Sequence, residues 1–206
     1  MKKYLVIGNP IEHSLSPKLH NYWFEKNDID ANYSKRKIDK NKIQEVILEI
    51  KDKKLDGINV TVPFKGDVIP FLDTLSEESK ITQSVNTIYI QDDKLIGHNT
   101  DIKGFELSLR ETHFDLKDKK IFILGAGGVV PSIIYALEKA GVSKIIVSNR
   151  TKQRAKDLKK NFPNIYVVDW GNQPECDMII NATSLGLNKE DDLGLNFKDM
   201  NNEKLF

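Results

Sequence analysis

Apolar residues come in short blocks along this chain, each closed by polar turn residues. Lys3–Ile7 (KYLVI) is an apolar run ended by Gly8-Asn9-Pro10, which predicts a buried strand. Ser16-Pro17 then opens a helix through about Asp28, with the serine at the N-cap and the proline at the first helical position. Asn32–Ile38 is a modest strand. Ile43, Val46, Ile47 and Ile50 recur at helical spacing and predict a helix over Lys42–Lys53. Asp56–Val62 (DGINVTV) is a further strand, stopped by Pro63. A short helical segment follows at Ile69–Leu72 and another from Ser76. Val85–Asn99 reads as two strands around Asp92-Asp93-Lys94, a hairpin. Asp101–Thr112 is a helix leading away, and the charged stretch Asp115–Lys120 reads as a linker.

The pattern then restarts. Lys120–Leu124 (KIFIL) is a buried strand running into Gly125-Ala126-Gly127-Gly128. Val129–Ala140 is a helix, with Gly141 suited to its C-terminal cap. Lys144–Ser148 (KIIVS) is a strand, Thr151–Phe162 a helix, and Ile165–Val168 and Asp177–Asn181 are strands. Strands alternating with helices predict parallel sheets with crossover helices. The fold class is α/β in two domains, residues 1–101 and 120–206, joined by a connecting helix and hinge over 102–119. After Leu187 the chain turns polar and irregular (NKEDDLGLNFKDMNNEKLF) and ends without another clear element, although a doubly wound sheet usually continues past its fourth strand.

Composition narrows the function more by exclusion than by assignment. The sequence has 206 residues, 30% charged and 39% apolar, with net charge +1. Mixed signs near neutrality leave no electrostatic footprint for nucleic acid. No apolar run approaches the roughly 18 residues that span a membrane, and the apolar start is too short for a signal peptide. The single cysteine, Cys176, excludes an internal disulfide and a cysteine-based metal cluster; no metal site is expected. The expectation is a cytoplasmic protein, a monomer or homodimer, acting on a small molecule without nucleic acid or membrane.

Gly125-Ala126-Gly127-Gly128, followed by Val129, joins a predicted strand to a predicted helix. Glycines there allow a tight turn and close backbone approach to a pyrophosphate, and the helix start supplies N–H groups and a positive dipole end. A plain β–α turn would use the same glycines. The end of the next strand adds a second signal. Folds specific for NAD place an acid about 20 residues on, against the ribose hydroxyls. Here stand Ser148-Asn149-Arg150-Thr151, with Arg154 one turn later. Two guanidinium groups beside small polar side chains suit a 2′-phosphate, so the cofactor expected is NADP(H) rather than NAD(H). A solvated helix start capped by Thr151 is the plainer alternative.

Four polar groups fall at predicted strand ends, where open α/β sheets bind ligands. They are Ser14 with Ser16; Asn59 and Thr61 with Lys65 beyond them; Asn86 in Val85-Asn86-Thr87; and Asp101 in His98-Asn99-Thr100-Asp101. Asn59 and Thr61 alternate along one strand and so face one side. Taken singly, each has a plain role: helix cap, surface lysine, turn. Together, hydroxyls, amides, one lysine and one aspartate make a site for a small polyhydroxylated acid, the paired serines meeting its carboxylate.

In order along the chain, S-x-S-P-x-x-H-N, N-V-T-x-P-x-K, V-N-T, N-T-D-x-x-G-F, G-A-G-G, N-R-T-x-x-R and N-A-T-S-x-G make the sequence resemble the shikimate dehydrogenase family over nearly its whole length. The resemblance implies an N-terminal, mostly parallel α/β substrate domain and a Rossmann-like doubly wound NADP-binding domain. It implies NADP-dependent interconversion of 3-dehydroshikimate and shikimate, a step of aromatic amino-acid biosynthesis. On it, Ser14, Ser16 and Thr61 bind the substrate carboxylate. Asn59, Asn86 and Asp101 bind ring hydroxyls, and Lys65 is the general acid/base. Gly125, Ala126, Gly127, Gly128, Val129, Asn149, Arg150, Thr151 and Arg154 hold the cofactor, bordered by Asn181-Ala182-Thr183-Ser184 and by Glu77. The chemistry agrees: hydride transfer to a ketone develops an alkoxide, which a nearby ammonium protonates and stabilises, while a carboxylate such as Asp101 orients the lysine.

Several departures accompany the resemblance. The last strand of the family's cofactor sheet and its returning helices, with a glutamine and a tyrosine near the substrate, are expected to be missing from this sequence. Val129-Val130-Pro131 stands where small residues are common, and Leu187 where relatives often carry methionine. A quinate or related cyclitol dehydrogenase, and a non-catalytic NADP- or shikimate-binding relative without the C-terminal helices, remain as alternatives. The intact serine pair favours shikimate over quinate.

Overall fold

A computed structural model of the chain describes residues 1–186 and 190. Leu187 and the irregular tail therefore lie, Glu190 apart, outside the described residues. The chain divides into two compact units, Met1–Thr100 and a second from Asp101 on.

The first unit contains β1 (Lys2–Gly8), α1 (Ser16–Lys26), β2 (Ala31–Lys37), α2 (Ile43–Lys51), β3 (Gly57–Val60), β4 (Thr74–Leu75), α3 (Glu77–Thr82), β5 (Thr87–Gln91) and β6 (Lys94–His98). Its six-stranded sheet runs β2-β1-β3-β5-β6-β4. β1 pairs in parallel with β2 and β3, and β5 runs antiparallel to both β3 and β6. Ile43, Val46, Ile47 and Ile50 of α2 are all buried, against Leu5, Ile7, Ile58, Val60 and Ile88 on one face of the sheet. Burying each such side chain contributes about 1.5–3 kcal/mol, so the helical spacing read from the sequence becomes the main core. The opposite face carries Val6, Ile11 and Tyr33, with Tyr4 and Phe24 against them. The β5–β6 hairpin turns on Asp92 and Asp93, with φ of 50° and 56°. Positive φ at both central positions suits the right-handed twist of the strands, and aspartate tolerates it. β4 is not predicted from the sequence, because two residues carry no periodicity; its pairing with β6 makes it a strand.

The second unit contains α4 (Asp101–Glu111), β7 (Lys120–Leu124), α5 (Val130–Lys139), β8 (Lys144–Ser148), α6 (Lys152–Asp157), β9 (Tyr166–Val168) and β10 (Met178–Asn181). The four strands are parallel in the order β10-β7-β8-β9. The order reverses at β7, which places a ligand crevice beyond the C-terminal ends of β7 and β10. Ile121, Ile123, Ile145 and Val147 pack against Val130, Ile133, Ile134 and Leu137 of α5. Phe105 and Leu109 of α4, with Phe114 and the buried Leu116, join the same core. The stretch read as a linker is thus held by apolar side chains spaced too irregularly to register as an element. Gly141 follows α5 at φ 78°, donating to the Glu138 carbonyl, as its capping position requires. Among the described residues no helix is long and apolar enough to cross a membrane.

Candidate active site

In the first unit the candidate residues gather where strand ends meet. A β-carbon on Gly8 would lie 2.6 Å from Thr61 Cγ2 and 3.1 Å from the Val62 carbonyl oxygen. Only glycine lets the loop after β1 lie this close to the loop after β3. Asn9 N–H donates to Val62 O at 3.0 Å, and Thr61 N–H to Ile7 O at 2.9 Å. The first loop is also tied to β2, since the Glu12 carboxylate pairs with Lys37 at 3.0 Å and accepts from Ile11 N–H. Backbone hydrogen bonding, and then the Lys37 ammonium, holds the Glu12 carboxyl down at about 2, so it stays ionised at any neutral pH.

Ser14 and Ser16 follow in this loop, both half-buried. Ser16 does not cap α1. Leu15 occupies the cap position with helical angles (φ −87°, ψ −4°), and no side chain accepts there. A capping side chain needs extended backbone at that residue, so Ser16 falls inside the helix. Ser14 Oγ accepts from Ser16 N–H instead, at 3.4 Å. A hydroxyl has one proton, and accepting leaves it to donate.

Lys65 is buried, at 8% exposure. Its carbonyl accepts from Val85 N–H at 2.9 Å, and Asn86 O accepts from Val60 N–H at 2.9 Å, so the lysine loop is strapped to the Val85-Asn86-Thr87 segment. The Asn86 carboxamide donates to Thr100 Oγ1 and accepts from Thr100 N–H, both at 2.9 Å. Asn59 donates to Asn86 O at 3.1 Å and to Thr87 Oγ1 at 3.0 Å. Ser14, Ser16, Asn59, Thr61, Lys65 and Asn86 are therefore placed on adjoining strand ends and loops of one unit. Asp101, half-buried, opens α4 immediately after Thr100 and belongs to the second unit. Glu77 is the first residue of α3, exposed and paired with Lys80 at 2.5 Å; no contact described for it leads to these residues.

In the second unit β7 runs into a turn that begins at Gly125, with φ 113°, where a β-carbon would sit 2.7 Å from Ala182 O. A β-carbon on Gly127 would meet nothing within 4 Å. The glycine turn is thus pressed against the end of β10 on one side and open on the other, at the start of α5. Asn181 organises the neighbouring loop: its Oδ1 accepts from Thr183 N–H and Oγ1–H, and its Nδ2 donates to Leu185 O at 2.8 Å. Beyond β8, Arg150 and Arg154 are exposed, and among the described residues neither is in an ion pair. Lys152 between them pairs with Asp169 at 2.6 Å. Thr151 holds the cap position of α6, but its side chain makes no capping bond. Asn149 Nδ2 donates to Thr151 O at 2.9 Å and holds this loop instead.

Residues 6–88 match the shikimate dehydrogenase substrate binding domain family, and residues 106–186 the shikimate / quinate 5-dehydrogenase family. The chain belongs to the shikimate dehydrogenase family. It is 56% identical to the shikimate dehydrogenase (NADP(+)) of Pelagibacter ubique (strain HTCC1062), over 100% of this chain and 77% of that protein. Among solved structures it is similar to the shikimate dehydrogenase of Aquifex aeolicus, with a TM-score of 0.85 and 40% identity over 93% of this chain and 72% of that one. The Thermus thermophilus enzyme in complex with NADP(H) and shikimate superposes with a TM-score of 0.81, at 32% identity over 91% of this chain and 70% of that one. The α/β class with an N-terminal substrate domain and a Rossmann-like second domain is that of the family.

Several residues of the shikimate dehydrogenase motifs have structural tasks that spacing alone does not reveal. His20 stacks on Tyr33 with ring centroids 4.2 Å apart and planes 7° apart. Asn21 clamps the Tyr33 backbone, donating to its carbonyl at 2.8 Å and accepting from its N–H at 2.9 Å. Thr87 and Thr100 complete the carboxamide contacts. Tyr33 itself was not singled out from the sequence, because an aromatic residue within the polar strand ANYSKRK carries no motif.

Replacing Gly125 by alanine should be costly in this family's second domain. Strained φ together with the Ala182 clash is expected to destabilise by about 1–3 kcal/mol, read as a lower urea midpoint with unchanged slope. An unchanged midpoint would mean the turn does not need glycine.

Proposed function

We propose that this chain catalyses the NADP-dependent interconversion of 3-dehydroshikimate and shikimate, with substrate on the first unit and cofactor on the second. The observation that carries this reading is the buried Lys65, fastened through Val85 beside a set of satisfied carboxamides and next to the serine loop. A lysine buried among polar groups at strand ends has no packing purpose that an apolar side chain would not serve better.

Ser14 and Ser16, with Thr61, donate to the substrate carboxylate; the Ser14 proton is left for this because Oγ already accepts from Ser16. Asn59 spends both amide protons inside the unit, so it meets a ring hydroxyl as an acceptor, through the second lone pair of Oδ1. Asn86 and Asp101 complete the hydroxyl contacts. In the oxidative direction Lys65, as the neutral amine, takes the proton of the hydroxyl being oxidised; in the reverse direction its ammonium returns that proton to the developing alkoxide. Such acid/base assistance is typically worth about 10²–10⁴-fold.

The second unit fits NADP(H) on its own geometry. Gly127 leaves room where a side chain would stand, Gly125 and Val129 border the α5 start, and exposed Arg150 and Arg154 suit a 2′-phosphate. Ala126, Gly128, Asn149 and Thr151 line the same two turns, and Ala182, Thr183 and Ser184 flank them. When bound, the nicotinamide supplies or accepts the hydride. We assign Glu77 at most an outer contact, given its ion pair with Lys80. A cytoplasmic location belongs to the same reading, supported by a lone, buried cysteine that needs no oxidising compartment.

The test is NADP⁺ reduction by this chain with shikimate, with quinate and NAD⁺ run beside it. Turnover is expected with shikimate and NADP⁺, and weaker turnover when either is exchanged. Preference for quinate would replace the substrate, and no turnover in any combination would overturn the catalytic reading.

A further inference from the structure

Tyr33 is 4% exposed, on β2, yet its hydroxyl reaches a residue of β3. The sheet order β2-β1-β3 puts β1 between them, so the phenol and the Asn59 carboxamide together bridge two strand spacings, roughly 9–10 Å. Its O–H donates to Asn59 Oδ1 at 2.6 Å. A polar chain continues from there. Asn59 Nδ2 donates to Thr87 Oγ1 at 3.0 Å, Thr87 Oγ1 donates to Asn86 Oδ1 at 3.0 Å, and Asn86 Nδ2 donates to Thr100 Oγ1 at 2.9 Å. Each link sets the polarity of the next, because a hydroxyl that accepts the Asn59 proton must pass its own proton onward. Tyr33 starts the chain as a donor.

We propose that Tyr33 is a positioning residue of the substrate site: its hydroxyl holds the Asn59 Oδ1 and, through Thr87, the Asn86 carboxamide in the orientation that meets the substrate's ring hydroxyls. The inference rests on the shikimate reading above and extends it to a residue that touches no substrate. The placement of Tyr33 is over-determined. His20 stacks on its ring, Asn21 clamps its backbone on both sides, and Asn59 takes its proton. Asn59 Nδ2 has two partners that hold it, whereas Oδ1 is held inside the unit by Tyr33 alone among the described contacts. Without that bond the carboxamide rocks about its Nδ2 contacts, and the lone pair offered to the substrate loses its direction. Burial pushes the phenol's pKa far up, so the hydroxyl stays a donor across the whole working pH range.

Tyr33→Phe removes one oxygen and keeps the ring that stacks on His20. One neutral hydrogen bond corresponds to a rise in the KM for shikimate of roughly three- to tenfold, with kcat less affected and the KM for NADP⁺ unchanged. In parallel, the side-chain amide resonances of Asn59 and Asn86 are followed by NMR in parent and variant without substrate; both are expected to shift and to exchange faster in Tyr33→Phe. Should that variant not fold, Thr87→Val cuts the chain one link further on, and the same split between the two KM values is expected. An unmoved shikimate KM, equal rises for both substrates, or unchanged carboxamide resonances would overturn the proposal. If the parent itself shows no turnover, the shikimate reading fails, and the resonances alone decide whether Tyr33 orients the two carboxamides.

Discussion

Lys65→Ala should lower kcat for shikimate oxidation by about 10²–10⁴-fold while leaving NADP⁺ affinity intact. The two effects separate because Lys65 lies in the first unit, after β3, while the glycine turn and the arginine loop lie in the second. The lysine's task is to take a proton as the alcohol is oxidised and to give it back as the ketone is reduced. Alanine offers no group for either. It also leaves a void in a buried position, so Lys65→Met is the better-packed companion, of similar length and without the amine. Both variants should bind NADPH normally by fluorescence titration and fail in turnover. Turnover near that of the parent in either variant would remove the acid/base assignment. A loss of NADPH binding in both would instead point to a folding defect, which a urea titration would expose.

Arg150→Ala should weaken NADPH far more than NADH. A charge-assisted hydrogen bond to a phosphate is worth about 1.5–3 kcal/mol, which converts to roughly 10- to 100-fold in affinity. The NADH affinity should hardly move, since the 2′-phosphate is the only difference between the two cofactors. The structure favours this outcome because the Arg150 guanidinium is exposed and has no carboxylate partner among the described residues, so its charge is not already neutralised. Lys152 makes a useful contrast: it pairs with Asp169 at 2.6 Å, and its removal should discriminate less. Equal losses for both cofactors after Arg150→Ala would abolish the 2′-phosphate role and leave the loop as a general wall of the site.

Local signals in the sequence reached a long way here. The isoleucine and valine spacing of α2, the glycine turn after β7, the aspartate pair of the β5–β6 turn and Gly141 after α5 are each decided by a few neighbouring residues, since period, φ preference and chain reversal are local properties. The motifs that identified the family are local in the same way. The alternation read from Asn59 to Thr61 does not carry through, because β3 ends at Val60 and Thr61 stands in the loop beyond it.

What the sequence could not decide depended on which strands became neighbours. Ser16 looked like a cap until the backbone angles of Leu15 moved the helix start forward and turned the Ser14 hydroxyl into the acceptor. β4 exists only through β6, and Leu116 leaves its charged surroundings for a core built from residues farther along the chain. Tyr33 meets Asn59, 26 positions away, because β1 inserts between β2 and β3 and the phenol and carboxamide together are long enough to cross it. By itself the sequence determined the α/β class, the positions of the glycine turn and polar clusters at strand ends, and the family. Tertiary structure alone decided the donors and acceptors of the site, because a hydrogen bond requires two groups within about 3 Å, and strand order, not spacing along the chain, brings them there.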